Sequence, residues 1–340
     1  MRLPLLISLL LAGVLPPAGA APLRVCATVP ELGSLAREIG GDAVEVTVFV
    51  RPAEDAHHLI ARPSYVRALH SADAVVSVGL ELEVGWLPAL LEGARNSRLA
   101  SGQPGFIDAS EAIEPLQVPS GEFDRSHGDI HPGGNPHYLL DPVNGLRVAR
   151  LLASRFADLR PDDAAGFATR YEDFEKRLLA RLLGADLSGK LDPAAAVEAL
   201  EKGTLDAHLA TAAPGVALGG WLGALAPHRG LAVIDDHDMW VYFTTRFGLK
   251  VAGQLEPKPG LPPTTRHLQE IIALMRRDHI RAVFTNTYFD RRHADVVARE
   301  TGARVAALAH QCGAREGTDD YLAMCDHNVR EAATALAKAP

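Results

Sequence analysis

Leu23-Arg-Val-Cys-Ala-Thr-Val-Pro-Glu-Leu-Gly-Ser-Leu-Ala-Arg-Glu-Ile-Gly-Gly-Asp-Ala-Val-Glu-Val-Thr-Val-Phe-Val50 holds a strand, a helix and a second strand in one short run. Residues 23–29 and 44–50 are rich in β-branched residues. Between them Pro30 opens a helix and Gly40-Gly41 ends it. Strand–helix–strand units of this length build parallel α/β sheets. The same grammar continues outward. Residues 63–70 read as a helix, 74–78 as a strand ending at Gly79, 84–91 as a helix and 105–107 as a short strand. After a break it resumes, with strands at 231–234, 249–255, 280–285 and 304–308. Helices are expected at 239–247, 264–278, 291–301 and 318–337, and Asp238 is read as the N-cap of the first of these.

Two segments separate the halves. Residues 115–136 are rich in Pro, Gly, Ser, Asp and His and show no periodicity, so they read as a surface loop carrying His127 and His131. Residues 162–187 show one apolar stripe, Phe167, Tyr171, Phe174, Leu178 and Leu182, as in a single long helix. The expected division is therefore a leader at 1–20, an N-terminal α/β lobe at 21–160, a linking helix at 161–188 and a C-terminal α/β lobe at 189–340. Residues 188–229 are Ala/Gly/Pro-rich and read as partly helical, anchored by Trp221.

Composition narrows the classes. The chain has 340 residues, 47% hydrophobic, enough for a core in each of two domains. Arg2, the apolar run 5–14 and Ala18-Gly19-Ala20 have the pattern of a cleaved signal peptide. Losing it removes one arginine and no acid, which moves the formal charge from −8 to −9 and argues against a nucleic-acid partner. No cysteine stands at the cleavage site, so an exported, periplasmic protein without a lipid anchor is expected. Three cysteines in no C-x-x-C spacing make a poor zinc motif. Cys312 and Cys325 flank one loop and are placed to pair there, while Cys26 stays free in a strand.

Histidine, with fourteen copies, is the more telling residue. In open α/β sheets ligands bind beyond the carboxyl ends of the strands. That filter keeps His57 and His58 after the second strand, His237 after the first strand of the second half and His310 after the last strand. His137 joins them, held on stiff backbone just before Asp141-Pro142, an N-cap and first helical residue. His131 lies six residues earlier. His70, His208, His228, His267, His279, His293 and His327 read as ordinary surface or helix-end residues. Imidazoles from both halves meet only in a cleft between lobes. A closed, nitrogen-rich site of four favours zinc over manganese or magnesium.

The chain resembles the substrate-binding proteins of metal-ion ABC transporters, which capture zinc or manganese outside the membrane. The resemblance runs along nearly the whole mature chain. It rests on Ile39-Gly-Gly-Asp42, on Asp55-Ala-His57 with Arg62-Pro63-Ser64, and on Ala72-Asp73 through Gly79-Leu-Glu-Leu-Glu83. Asn135-Pro-His137-Tyr-Leu-Leu-Asp-Pro142 and Asp236-His237-Asp238 carry it further, with Tyr242 to Gly248, Glu300-Thr-Gly302 and Tyr321 to Asn328. It implies two α/β lobes, each with a four-stranded parallel sheet flanked by helices, joined by one long helix, with modest lobe motion and the metal between the lobes. It implies His57, His137 and His237 as ligands; His57 rather than His58 fits, standing six residues before Pro63. The family's fourth ligand is an acid after the last strand, where this chain has His310. His310 is therefore expected to be the fourth ligand, with Asp319 or Asp320 as the alternative and Asp236 or Glu83 as supporting carboxylates. The implied function is a monomeric zinc-binding protein, without enzymatic activity, serving a membrane permease and its ATPase; manganese is the less favoured cargo. A zinc hydrolase with an open three-histidine site is the competing class, although the chain has no H-E-x-x-H and no nucleophile elbow.

Overall fold

The computed structural model describes residues 21–119, 131–257 and 261–337. The signal-peptide reading and His127 fall outside them. The N-terminal lobe contains β1 (Leu23–Ala27), α1 (Pro30–Gly40), β2 (Val44–Val48), α2 (Pro63–Ser71), β3 (Ala74–Ser77), α3 (Leu87–Ala94) and β4 (Phe106–Asp108). Its sheet runs in the order β2-β1-β3-β4, all parallel. β1 and β3 are central and buried, which is why Val25, Ala27, Val75 and Val76 are apolar in succession rather than in alternation.

α4 (Pro142–Leu159) and α5 (Ala164–Leu183) follow, and then four short helices: α6 (Ala185–Ser188), α7 (Pro193–Glu201), α8 (Leu205–Ala212) and α9 (Gly220–Leu225). The second lobe contains β5 (Ala232–Asp235), α10 (Val241–Phe247), β6 (Lys250–Gln254), α11 (Thr265–Asp278), β7 (Ala282–Thr285), α12 (Arg291–Thr301), β8 (Arg304–Ala307) and α13 (Tyr321–Leu336). Its sheet, β6-β5-β7-β8, is again parallel and repeats the order of the first.

The fold class is as expected, and several local readings need correction. The linking helix is α5, which stops at Leu183 because Gly184 takes φ +88°, a left-handed value that breaks the helix before α6. α3 begins three residues later than expected. The preceding turn holds Leu80 and Glu81 at positive φ, and Val84 is half exposed. Asp238 caps no helix, because α10 starts at Val241. Its Oδ1 accepts from Gln117 and its carbonyl from Asn135, both in the segment leading into α4. The bridge between Cys312 and Cys325 is absent: all three cysteines are buried free thiols. The loop after Cys312 is closed instead by hydrogen bonds, Arg315 N–H to Thr318 Oγ1 and Thr318 Oγ1–H to the Arg315 carbonyl.

The lobes are joined by more than one helix. The Arg246 guanidinium of α10 forks onto the Asp141 carboxylate at 2.8–3.0 Å, while Asp141 Oδ1 also caps α4 by accepting from Val143 N–H. Tyr321 Oη of α13 donates to the Leu139 carbonyl, close above Gly145 of α4, where a Cβ would stand 2.1 Å from that oxygen. Tyr242 Oη donates to the Asn135 carbonyl. These ties surround the chain that carries His137.

Candidate metal centre

His57 sits in a single 3-10 turn, Ala56–His58, that follows β2. Asp55 starts that turn: its Oδ1 accepts from both the backbone N–H and the ring Nδ1 of His57, at 2.9 and 2.7 Å. A carboxylate only accepts, so Nδ1 holds the proton and Nε2 is the nitrogen left for an ion. Burial raises the Asp55 pKa, but its contacts with His57 outweigh that and hold it at about 2. His237 follows β5 and repeats the device, with Nδ1 2.7 Å from Glu256 Oε2 at the end of β6. Burial works against the charged ring of His237, yet the Glu256 carboxylate, with Asp236, keeps its pKa above the ordinary value. His137 precedes the turn Tyr138–Leu140 and α4, its backbone N–H held by Asn135 Oδ1 at 2.9 Å. Burial first, then the neighbouring rings of His57 and His237, push the His137 pKa well down.

One ring nitrogen from each of His57, His137 and His237 lies within 4.8 Å of the other two. Among the described residues no other group of histidines, cysteines or acids is so placed. Ring centroids are 5.4–5.8 Å apart and the planes steeply inclined, so the nitrogens converge instead of the rings stacking. Two of the imidazoles come from one lobe and the third from the other. The donor set suits a borderline cation such as zinc, cobalt or nickel, and gives a hard cation few oxygens.

His310 follows β8 and lines a cavity of about 30 Å³ together with Asp55, His57, His137, Met239 and Tyr288. It stands outside the converging trio. Its Nδ1 is 3.2 Å from Thr287 Oγ1 and its Nε2 3.5 Å from the Glu54 carbonyl, with the Tyr288 ring edge-on at 4.9 Å. Burial pulls its pKa down to about 4, so the ring is neutral at pH 7. His131 meets His57, its Nε2 3.1 Å from His57 Nε2. His58 is exposed. His70, His267 and His327 bond backbone carbonyls away from the centre; His70 and His267 lie near helix ends as expected, whereas His327 sits half-buried in the middle of α13 and ties it to β8. Asp320 caps α13 by accepting from Ala323 N–H.

The supporting carboxylates differ from expectation. Asp236 accepts from the backbone and side chain of Asn286, and Glu83 from Thr28 Oγ1 and the N–H groups of Val78 and Gly79. Both therefore brace loops. The carboxylates that do orient histidines are Asp55 and Glu256. Asp55 had a local signal, an Asp two residues before a histidine. Glu256 had none, because only the pairing of β5 with β6 brings it to His237. A far larger cavity, about 710 Å³ and mostly apolar, lies along α3 and contains none of these histidines.

A model of the family described as zinc-uptake complex component A, periplasmic, matches residues 25–188 and 222–335. The chain belongs to this family. Its members are the substrate-binding components of metal-ion ABC transporters, which act outside the cytoplasm with a permease and an ATPase and are not enzymes. This sets aside the hydrolase reading. No helix among the described residues is long and apolar enough to cross a membrane. Relatives fall on both sides of the metal question. The high-affinity zinc uptake system protein ZnuA of Yersinia pestis is 24% identical over 303 residues, covering 86% of this chain and 84% of its own. The manganese-binding lipoprotein MntA of Bacillus subtilis is also 24% identical, over 330 residues, covering 92% and 90%. A crystal structure of ZnuA superposes with a TM-score of 0.66 at 22% identity, over 93% of this chain and all of that one. A manganese-bound periplasmic metal-binding protein from Candidatus Liberibacter asiaticus does so at 0.65 and 17%, over 92% and 99%.

Proposed function

We propose that the protein captures Zn²⁺ in the periplasm and delivers it to its permease, with His57, His137 and His237 as ligands. The observation that carries this reading is the convergence of three imidazole nitrogens, from both lobes, within 4.8 Å. Imidazole suits zinc, whereas manganese prefers carboxylate and water oxygens. The acids nearest the trio, Asp55 and Glu256, are engaged by ring N–H groups, which leaves their partners' Nε2 atoms facing inward. A carboxylate on the far nitrogen raises the basicity of a ligating histidine and fixes its orientation. The zinc relative supports the same cargo; the manganese relatives make Mn²⁺ the alternative. On this reading one metal is bound per chain by a monomer, and the cargo leaves when the lobes part at the permease.

The test is competitive metal binding by the purified, metal-stripped protein, with elemental analysis after dialysis against equimolar Zn²⁺ and Mn²⁺. One equivalent of zinc and little manganese is expected. Stoichiometric manganese in the presence of zinc, or zinc retained unchanged by the His57→Ala/His237→Ala double variant, would refute the assignment.

A further inference from the structure

His131 does not read as a ligand in the sequence. It lies six residues before His137 in a loop-like segment, and the acid-replacing His310 is the more obvious fourth partner. The geometry points elsewhere. His57 has one nitrogen to give an ion, because Asp55 holds the other at 2.7 Å. On that one nitrogen, at 3.1 Å, stands His131 Nε2. Whatever touches His57 Nε2 stands where the ion's coordination shell would be. Four nitrogens at about 2.0–2.1 Å from a tetrahedral zinc are about 3.3–3.4 Å apart. The separation between His57 and His131 is close to that edge, and the trio's nitrogens lie within 4.8 Å of one another; His131 falls outside that group and enters the shell by closing on His137 and His237 as the ion binds. The two rings are 5.2 Å apart and inclined by 38°, comparable with the spacing inside the trio. His310, by contrast, turns its nitrogens to Thr287 and to the Glu54 carbonyl.

Resting on the metal-binding reading above, we infer that His131 is the fourth protein ligand, completing a tetrahedral shell with His57, His137 and His237, and that His310 stays outside it. The set is then four neutral imidazoles. One of them belongs to the segment entering the site beside His137, with only Pro132 to Pro136 between the two, so the backbone from 131 to 137 closes around the ion. His310 serves as a buried neighbour, filling the cavity wall with Tyr288.

Cobalt(II) is a suitable probe, since its visible absorption is strong in a tetrahedral site and weak with five or six ligands. The full chain is stripped and loaded with Co²⁺, and Zn²⁺ affinity is measured in parallel by competition with a chelator. Wild type is expected to give the strong tetrahedral bands. His131→Ala should lose most of that intensity and bind Zn²⁺ at least tenfold more weakly, while His310→Gln keeps the wild-type bands and an affinity within about threefold. His131→Cys supplies a readout that a structural role for residue 131 would not move: a sulfur-to-cobalt charge-transfer band appears only when that side chain bonds the metal. The three native thiols are buried and give no such background. Wild-type bands and affinity in His131→Ala, or no charge-transfer band in His131→Cys, overturn the inference. So does loss of the bands in a folded His310→Gln, which would return the fourth place to His310. Failure of wild type itself to bind Co²⁺ or Zn²⁺ would instead sink the metal reading on which the inference stands.

Discussion

At the scale of single residues, the site depends on which nitrogen of each ring carries a proton. Asp55 and Glu256 settle that for His57 and His237, and outer partners of this kind are typically worth 10–100-fold in metal affinity. Glu256→Gln and Asp55→Asn should each weaken Zn²⁺ binding by that order while leaving the fold intact. An isothermal titration showing unchanged affinity would mean the carboxylates only fill space. Protonation gives a second prediction. His310, with its pKa at about 4, and His137, with its pKa well below the ordinary value, are held neutral by burial. The unfolded chain takes up those protons near the reference value of about 6.5. Their contribution is thus fully present above about pH 6.5 and is lost as the pH falls toward 4. The buried acids Glu31, Glu83 and Asp236, raised by burial to about 8, 7 and 7, act in the opposite sense, so the check is a difference between variants: the urea midpoint of metal-free His310→Gln should rise relative to wild type as the pH falls across that window. His237 works in the opposite sense, since its raised pKa favours the protonated ring in the fold. A difference between His310→Gln and wild type that stayed constant from about pH 6.5 to 4 would show that burial does not hold the His310 ring neutral.

At the scale of elements, much was legible and the rest was not, for definable reasons. The sheets could be read because valine runs bounded by Gly and Pro are a local signal, and the start of α4 because Asp141-Pro142 is a local cap. The bend at Gly184 was masked by an apolar stripe that continues through it. Asp238 looked like a cap because Asp often is one, but long-range partners in Gln117 and Asn135 claimed it. The approach of His131 to His57 links positions 74 residues apart and leaves no trace in spacing. The contact of α13 with α4 is similarly silent: Gly145 looks like a weak helix residue until Tyr321 is placed over it. Gly145→Ala should therefore destabilise the protein, despite the better helix propensity of alanine. The new methyl displaces Tyr321 and its hydrogen bonds to the Leu139 and Asp141 carbonyls, at a cost of about 1–3 kcal/mol. Gly145→Ala in a Tyr321→Phe background should cost no less, because the ring itself is the obstacle. A stabilised Gly145→Ala in denaturant titration would disprove the contact.

At the scale of the whole molecule, the lobes share one hydrophobic core. It runs from Val25 and Leu32 of the first lobe through Phe174 of α5 to Trp240, Phe284 and Met324 of the second. A separate cluster, Ile234, Leu255, Ile271, Met275, Val283 and Val297, seats α11 and α12 on the outer face of the second sheet. This arrangement predicts how metal binding spreads. An ion held by histidines of both lobes stabilises every state in which the shared core is intact, by about 2.7 kcal/mol at a hundred times its dissociation constant. It does nothing for a partial opening that releases α11 and α12 while leaving the site whole. Native-state hydrogen exchange should then show zinc slowing the amides of α4 and α13 by about a hundredfold, with α11 and α12 little changed. Arg246→Ala adds a control from the other side. It leaves Asp141 buried beside His137 without its cation, a loss of about 3–5 kcal/mol. Since the lost contact belongs to the shared core, exchange should quicken in α4 and α13 and not in the outer layer. Equal zinc protection in all four helices would mean that the molecule opens only as one unit, and that the second cluster is no independent layer.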